Sequence, residues 1–449
     1  MTMRSAMRWA AGFAMVVGLT ASAQVSLSSA VDLALRNDPR VKIAQADVSK
    51  AKATLSEAHD AYIPSATASG GYGTSTGVPL NVPVLFSISS QSLLFNFAQK
   101  DNIRAAEAGV KAAQFAADDA HDKVAEDVIV TYLDLNHDER RRDALQQEYD
   151  FVTRLVTIVQ ERLDAGTDTR IDLLKARKAA AQIHLEKLQT DDEISALSDH
   201  LSRMIGLPGN ALTTVPASIP ELPSLNELNA VQPTRNFGVE AAYADAHSKR
   251  EIAFGLGRYK LRPEVSFGAN YSRIYTNHTN YSTYYPAFAS VNGLSYNDLS
   301  VGLEIRIPLF DRGHEARARQ AAADAAHAEF EAQQQRMQFL EGRHKLQHTA
   351  AELADRTEIA NDNQQLSQAQ LDAVLARLSA ASGATGGDQL SPEDEQNARV
   401  DERARYIDLL DAQYGLQQAQ VNLLRQTGQL DAWLKAAMTA PGVSATPAH

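Results

Sequence analysis

The sequence predicts an α+β membrane protein in which a β-hairpin followed by a long helical hairpin occurs twice, three copies closing a 12-stranded β-barrel continued by a 12-helix α-barrel. Three observations carry this reading: an internal repeat at an offset of 215 residues, a heptad seam of small residues after each repeat start, and a strand-like alternation just before it.

The repeat is anchored by Leu94-Phe95 and Leu309-Phe310. After Leu94-Phe95, the residues Ile103, Ala106, Val110, Ala113, Ala117, Ala120 and Val124 recur with alternating gaps of three and four, which is a heptad pattern. The same offset gives Ala318, Ala321, Ala325, Ala328, Ala332, Gln335 and Phe339, and it still holds at Arg162-Leu163 and Arg377-Leu378. Alanine on a seam lets helices approach closely, which suits staves better than a bulky dimeric coiled coil. Helices are predicted at about 99–164 and 314–379, each a rod of roughly 100 Å at 1.5 Å per residue.

A returning helix follows each rod, at about 169–205 and 391–427, and each stops at a glycine, Gly206 or Gly428. Those glycines differ by 222 positions, so the second turn region carries seven residues more than the first. Aligned with that single insertion, Asp172, Ala176 and Arg177 fall on Asp394, Ala398 and Arg399.

Before the second rod the period changes to two. Leu299, Val301, Leu303, Ile305, Ile307 and Leu309 alternate with Ser300, Gly302, Glu304, Arg306 and Pro308, and Val265, Phe267, Ala269 and Tyr271 supply a partner strand. Strands are predicted at about 264–275 and 298–309, and more weakly at about 65–74 and 84–94. Ten residues fit a tilted transmembrane β-strand. Four strands cannot close, and an open sheet edge in lipid leaves backbone groups unpaired at several kcal/mol each. A homotrimer supplies the closure. The connecting loops 74–83 and 276–296, the second rich in Tyr and Asn, are expected outside the cell.

The ends set the compartment. Arg4 and Arg8, an apolar run from Trp9 to Leu19 and the small residues Ala21-Ser22-Ala23 form a signal peptide over 1–23. The first repeat spans 24–206, a Pro-rich equatorial linker 207–235, the second repeat 236–430, and a C-terminal tail, expected to be disordered after Ala437, 431–449. Losing the two signal arginines takes the formal charge from −12 to −14, which excludes nucleic acid as a partner. Cysteine is absent, so disulfides and a lipid anchor on cysteine are excluded.

The chain resembles the TolC-type outer-membrane efflux proteins along nearly its whole mature length. The resemblance is carried by Ala34-Leu35-Arg36-Asn37-Asp38-Pro39, Tyr62-Ile63-Pro64, Arg262-Pro263 and Ile307-Pro308-Leu309-Phe310-Asp311-Arg312-Gly313, in that order and with the duplication. It implies a homotrimer seated in outer-membrane lipid, with a tunnel crossing the periplasm to meet a periplasmic adaptor (membrane fusion) protein and an inner-membrane pump. It further implies a periplasmic constriction at Asp172 and Asp394 and adaptor contacts at the turns, Gly166 and Thr167 in the first and Gly383, Gly386 and Gly387 in the second. The residues themselves offer a second reading: Thr169 to Asp172 and Ser391 to Asp394 are spaced as capping boxes. A passive exit duct for small molecules or peptides is the function expected, with a soluble periplasmic coiled-coil scaffold or adaptor as the alternative.

No catalytic constellation stands out, and neither enzyme activity nor a cofactor is expected. His344 and His348 have a metal-compatible spacing, but no Glu follows His344 as in a helical zinc protease motif, and they read as surface histidines.

Overall fold

The computed structural model describes residues 23–71, 84–207, 212–230, 236–274, 297–381 and 391–439. The signal-peptide segment up to residue 22, both predicted extracellular loops and the Gly-rich second turn lie outside the described residues.

Two rods dominate: α3 (Phe97–Asp164, 68 residues) and α7 (Arg312–Ala381, 70 residues). Each starts two residues earlier than the heptad pattern suggests. In α3 the reason is Asn96, whose side chain caps the helix by accepting from Ala98 N at 2.8 Å. The returning helices are α4 (Arg170–Ile205) and α8 (Pro392–Thr427). Both stop at a left-handed glycine, Gly206 at φ 78° and Gly428 at φ 69°. A Cβ at Gly206 would also lie 2.9 Å from the Asn37 side chain, so this position tolerates only glycine on two counts.

Two further long helices carried no apolar stripe by which the sequence could announce them. Helix α2 (Pro39–Asp60) begins with Asp38 as cap and Pro39 in its first turn, and of its 22 residues only Val41 is buried. Helix α6 (Phe237–Gly257) is capped by Asn236 and buries only Ala246 and Gly255. They flank the upper halves of the rods: α2 lies against α3, and α6 lies between α3 and α7. Arg40 of α2 pairs with Asp127 of α3, Ser248 of α6 donates to Ala105 O at 2.7 Å, and Arg250 of α6 pairs with Glu329 of α7. Below the middle, α4 packs on α3, and α8 lies between α3 and α7. The order of staves is therefore α2, α3, α6, α7 above and α4, α3, α8, α7 below. The seam positions are half-buried or buried on both rods, Gln335 excepted.

The sheet is one antiparallel layer, ordered β2 (Ser65–Gly70), β3 (Val84–Asn96), β5 (Glu264–Ile274), β6 (Asn297–Arg306). Its last strand ends at Arg306, earlier than the alternation suggests, because Pro308 lacks the N–H that a ladder requires.

The apolar core lies at the middle of the rods. There Val124, Ile129, Tyr132 and Leu135 of α3 meet Leu27 and Val31 of α1 (Leu27–Asn37), Leu201 and Ile205 of α4, and Leu423 and Leu424 of α8. The linker and the start of the tail complete it. The linker contains a strand, β4 (Leu212–Thr214), paired in parallel with β1 (Ala23–Val25), a 3-10 turn at Pro216–Ser218, and a short helix, α5 (Leu225–Ala230). The tail begins with a helix, α9 (Leu430–Thr439), whose Leu430, Trp433 and Leu434 are buried in the core. Those three sit at i, i+3 and i+4, one helical face, which the polar and Pro-containing residues beyond Ala437 obscured.

Tyr132 ties this belt together. Its hydroxyl donates to Val25 O at 2.8 Å, accepts from Val215 N at 2.8 Å and lies 3.0 Å from Ser218 Oγ. Tyr132→Phe leaves a buried N–H and a carbonyl unpaired, so chemical denaturation should show a loss of about 1–3 kcal/mol.

Candidate functional site

The sheet is built with two chemically distinct faces. Cross-strand partners share a face, so the register places Leu299, Val301, Leu303 and Ile305 of β6 on one side with Tyr271, Ala269, Phe267 and Val265 of β5. Through β3 the same face continues with Phe86, Ile88, Ser90 and Ser92, and through β2 with Ala68 and Ala66. The opposite face carries Ser266, Asn270 and Ser272, with Ser300 and Glu304 on β6, Ser87, Ser89 and Gln91 on β3, and Thr67 and Ser69 on β2. Hydroxyl pairs lace that side, Thr67 to Ser89 and Ser69 to Ser87, both at 2.7 Å. On β6 the apolar side chains stand open, Leu299, Val301, Leu303 and Ile305 being 62% to 70% exposed. Among the described residues β2 and β6 have no partner on their outer edges.

At the other end of the rods the two predicted constriction residues occupy matching places. Thr169 Oγ1 accepts from Asp172 N at 3.3 Å and donates to Asp172 Oδ2 at 2.6 Å, while Thr169 N donates to the same carboxylate at 3.3 Å. Ser391 and Asp394 repeat the arrangement, with Ser391 N to Asp394 Oδ2 at 2.7 Å and Asp394 N to Ser391 Oγ at 3.4 Å. Both acids thus close capping boxes at helix starts. Hydrogen bonds from Thr169 and from Lys175, whose Nζ is 3.2 Å away, hold the Asp172 carboxyl below its ordinary range. Asp172 is half-buried and Asp394 exposed, so each keeps solvent access while it caps.

Gly166 adopts φ 79°, and Thr167 turns the chain by donating both its N–H and its hydroxyl to Arg162 O. Gly383, Gly386 and Gly387 lie outside the described residues. Arg162 joins the two hairpins, holding Asp168 at 2.9 Å and Glu393 of α8 at 3.5 Å.

One polar cluster between α3 and α8 joins residues too far apart in sequence for any local spacing to signal it. His137 of α3 is clamped between Asp138, Nδ1 to Oδ1 3.0 Å, and Asp411 of α8, Nε2 to Oδ1 2.8 Å, with its ring stacked on Tyr414. Arg141 reaches the same Asp411 at 3.1 Å. Burial pulls the imidazole pKa down, but the hydrogen bonds that it donates to Asp138 and Asp411 outweigh it and hold it up at about 9. The charged clamp binds α8 to α3 just below the core. His137 and Asp411 are 274 residues apart, so no local spacing signals it.

Over residues 30–207 the chain matches the family model described as outer membrane efflux protein. Solved structures extend the likeness to both halves. The Campylobacter jejuni CmeC outer membrane channel superposes with a TM-score of 0.70 at 15% identity, covering 92% of this chain and 89% of that one. The chain has the fold of an outer-membrane efflux channel. The efflux-channel fold is shared with the Vibrio cholerae outer membrane protein VceC, at TM-score 0.62 and 17% identity over 92% of this chain and 95% of that one. It is shared equally with the open state of the Neisseria gonorrhoeae MtrE outer membrane channel, at TM-score 0.65 and 13% identity over 90% and 89%. No curated protein sequence matches. The resemblance to TolC-type efflux proteins read from the sequence is borne out, and the efflux-channel fold accounts for the equal rods that the repeat implied.

The clamp makes stability depend on pH with a definite sign. A folded pKa raised above the usual 6.5 to about 9 contributes fully below pH 6.5 and is lost as pH rises through 9. Between pH 6 and pH 10 the stability difference between the native protein and His137→Gln should narrow by about 3 kcal/mol in thermal or chemical unfolding.

Proposed function

We propose that the chain forms the outer-membrane exit duct of a tripartite efflux or secretion system, a passive conduit for small molecules or peptides. The duct is a homotrimer that works with a periplasmic adaptor and an inner-membrane pump. The observation that carries this reading is the sheet: one face apolar along β5 and β6 from Val265 to Tyr271 and from Leu299 to Ile305, one polar face, and two edges unpaired among the described residues. Lipid accepts such a sheet only when it is closed.

The helices support the same closure. In the stave order α4 and α7 are the lateral edges, and each presents a heptad stripe that nothing in the protomer covers. On α4 the exposed stripe is Ile171, Leu174, Lys178, Ala181, Leu185 and Leu188; on α7 it is Ile359, Asp362, Leu366, Ala369, Ala373 and Ala376. Gaps of three and four on both edges are what a coiled-coil seam between copies requires, large residues on one side fitting small ones on the other. Three protomers of four staves give twelve helices at each level. A soluble scaffold would use such stripes equally well, but it has no use for an apolar sheet face.

Reconstituted into planar bilayers, the protein should give discrete conductance steps, and a pure trimer that never conducts would refute the duct. Asp172 and Asp394 are the proposed constriction, six carboxylates around one opening in a trimer, which would favour cations there. The double variant Asp172→Asn, Asp394→Asn should weaken cation selectivity in reversal-potential measurements. Unchanged selectivity with a lower melting temperature would leave the two acids as helix caps alone.

A further inference from the structure

We propose that His121 and Asp122 of α3 and Asp431 of α9 form a binding site for a borderline divalent transition metal, Zn2+ foremost, which fastens the C-terminal helix to the first rod. The three donor atoms, one imidazole nitrogen and two carboxylate oxygens, lie within 4.8 Å of one another. Ligands of one tetrahedral Zn2+ sit roughly 3.5 Å apart, so small side-chain rotations bring the set onto one ion. The donors come from two elements, α3 and α9, whose meeting the core packing fixes. Leu430, Trp433 and Leu434 are buried in the belt, and Trp433 Nε1 donates to Glu221 O at 3.1 Å, which holds Asp431 beside the His121 turn.

The charges around the three residues point to a cation. One turn away along α3, Asp119 is paired with Lys123 at 2.7 Å and Glu126 with Arg425. Asp122 lies 3.7 Å from His121. Asp118 adds negative charge on the same face. A mixed nitrogen and oxygen set with three protein ligands and space for water suits Zn2+, whereas Mg2+ and Ca2+ demand six or more oxygens. The Asp122 carboxylate first, then Asp431 and Asp118, keep a proton on His121 to higher pH than usual.

The site lies on the equatorial belt and is independent of the channel reading. The test uses the full chain, purified in detergent and stripped with EDTA, titrated with ZnCl2 by calorimetry at pH 7.5. Uptake of one Zn2+ per chain is expected, together with slower amide hydrogen exchange over residues 430–439. His121→Gln and Asp431→Asn should each weaken binding about tenfold or more, and neither should then show the slowed exchange. Because Asp431 lies in the first turn of a ten-residue helix, its variant still reports if His121→Gln fails to fold. A double variant at the exposed pair, His344→Gln with His348→Gln, should bind as the native protein does. No zinc uptake by the native chain would overturn the site. So would uptake that persists in His121→Gln and Asp431→Asn and disappears in the His344 and His348 variant.

Discussion

The unpaired backbone along β2 and β6 is the constraint on which the rest depends. A four-stranded sheet with one apolar face is stable neither in water, where that face stays bare, nor in lipid, where its edges do. Both objections vanish together if the edges meet those of sister copies, because the ring then shows lipid only side chains and turns its hydroxyls and amides inward. The rods inherit that symmetry. They leave the sheet at fixed places, Asn96 and Arg306, so a ring of strands obliges a ring of staves.

The interior of a single chain is concentrated at mid-height, and this has a physical reason. Helices that form a tube wall have one face to the lumen, one to the outside and two to their neighbours, leaving little area for a core. The chain recovers a core by wrapping α1, the linker and α9 around the rods at one level, where Tyr132, Leu201 and Leu424 are almost wholly excluded from solvent. Below that level the hairpins are held by two smaller apolar clusters, Leu145, Val152, Ile183 and Ile407, then Leu155, Val159 and Leu173, and by polar ties, His137 to Asp411 and Arg162 to Glu393.

What the sequence made legible followed from how pure each pattern is. Alternation in β6 is unbroken from Leu299 to Ile305 because neither face has a competing demand, and the rods repeat at a constant offset because a change of phase would rotate every stave. Helices α2 and α6 escaped notice for the opposite reason: wall helices with small and polar residues on every side show no stripe. Helix α9 was masked by the polar residues that follow it. At the candidate site, the spacing of Thr169 with Asp172 and Ser391 with Asp394 foretold the caps, since a capping box is local in sequence. The His137 clamp and the meeting of His121 with Asp431 join residues hundreds of positions apart, and only the folded chain brings them together.

The central claim is that the sheet exists as a third of a closed cylinder. Native mass spectrometry of the protein extracted from outer membranes in mild detergent tests it most directly. The account predicts a particle of three chains that dissociates only as the barrel unfolds, twelve strands being shared among its copies. A folded, monodisperse single chain that remains in solution without detergent would contradict it.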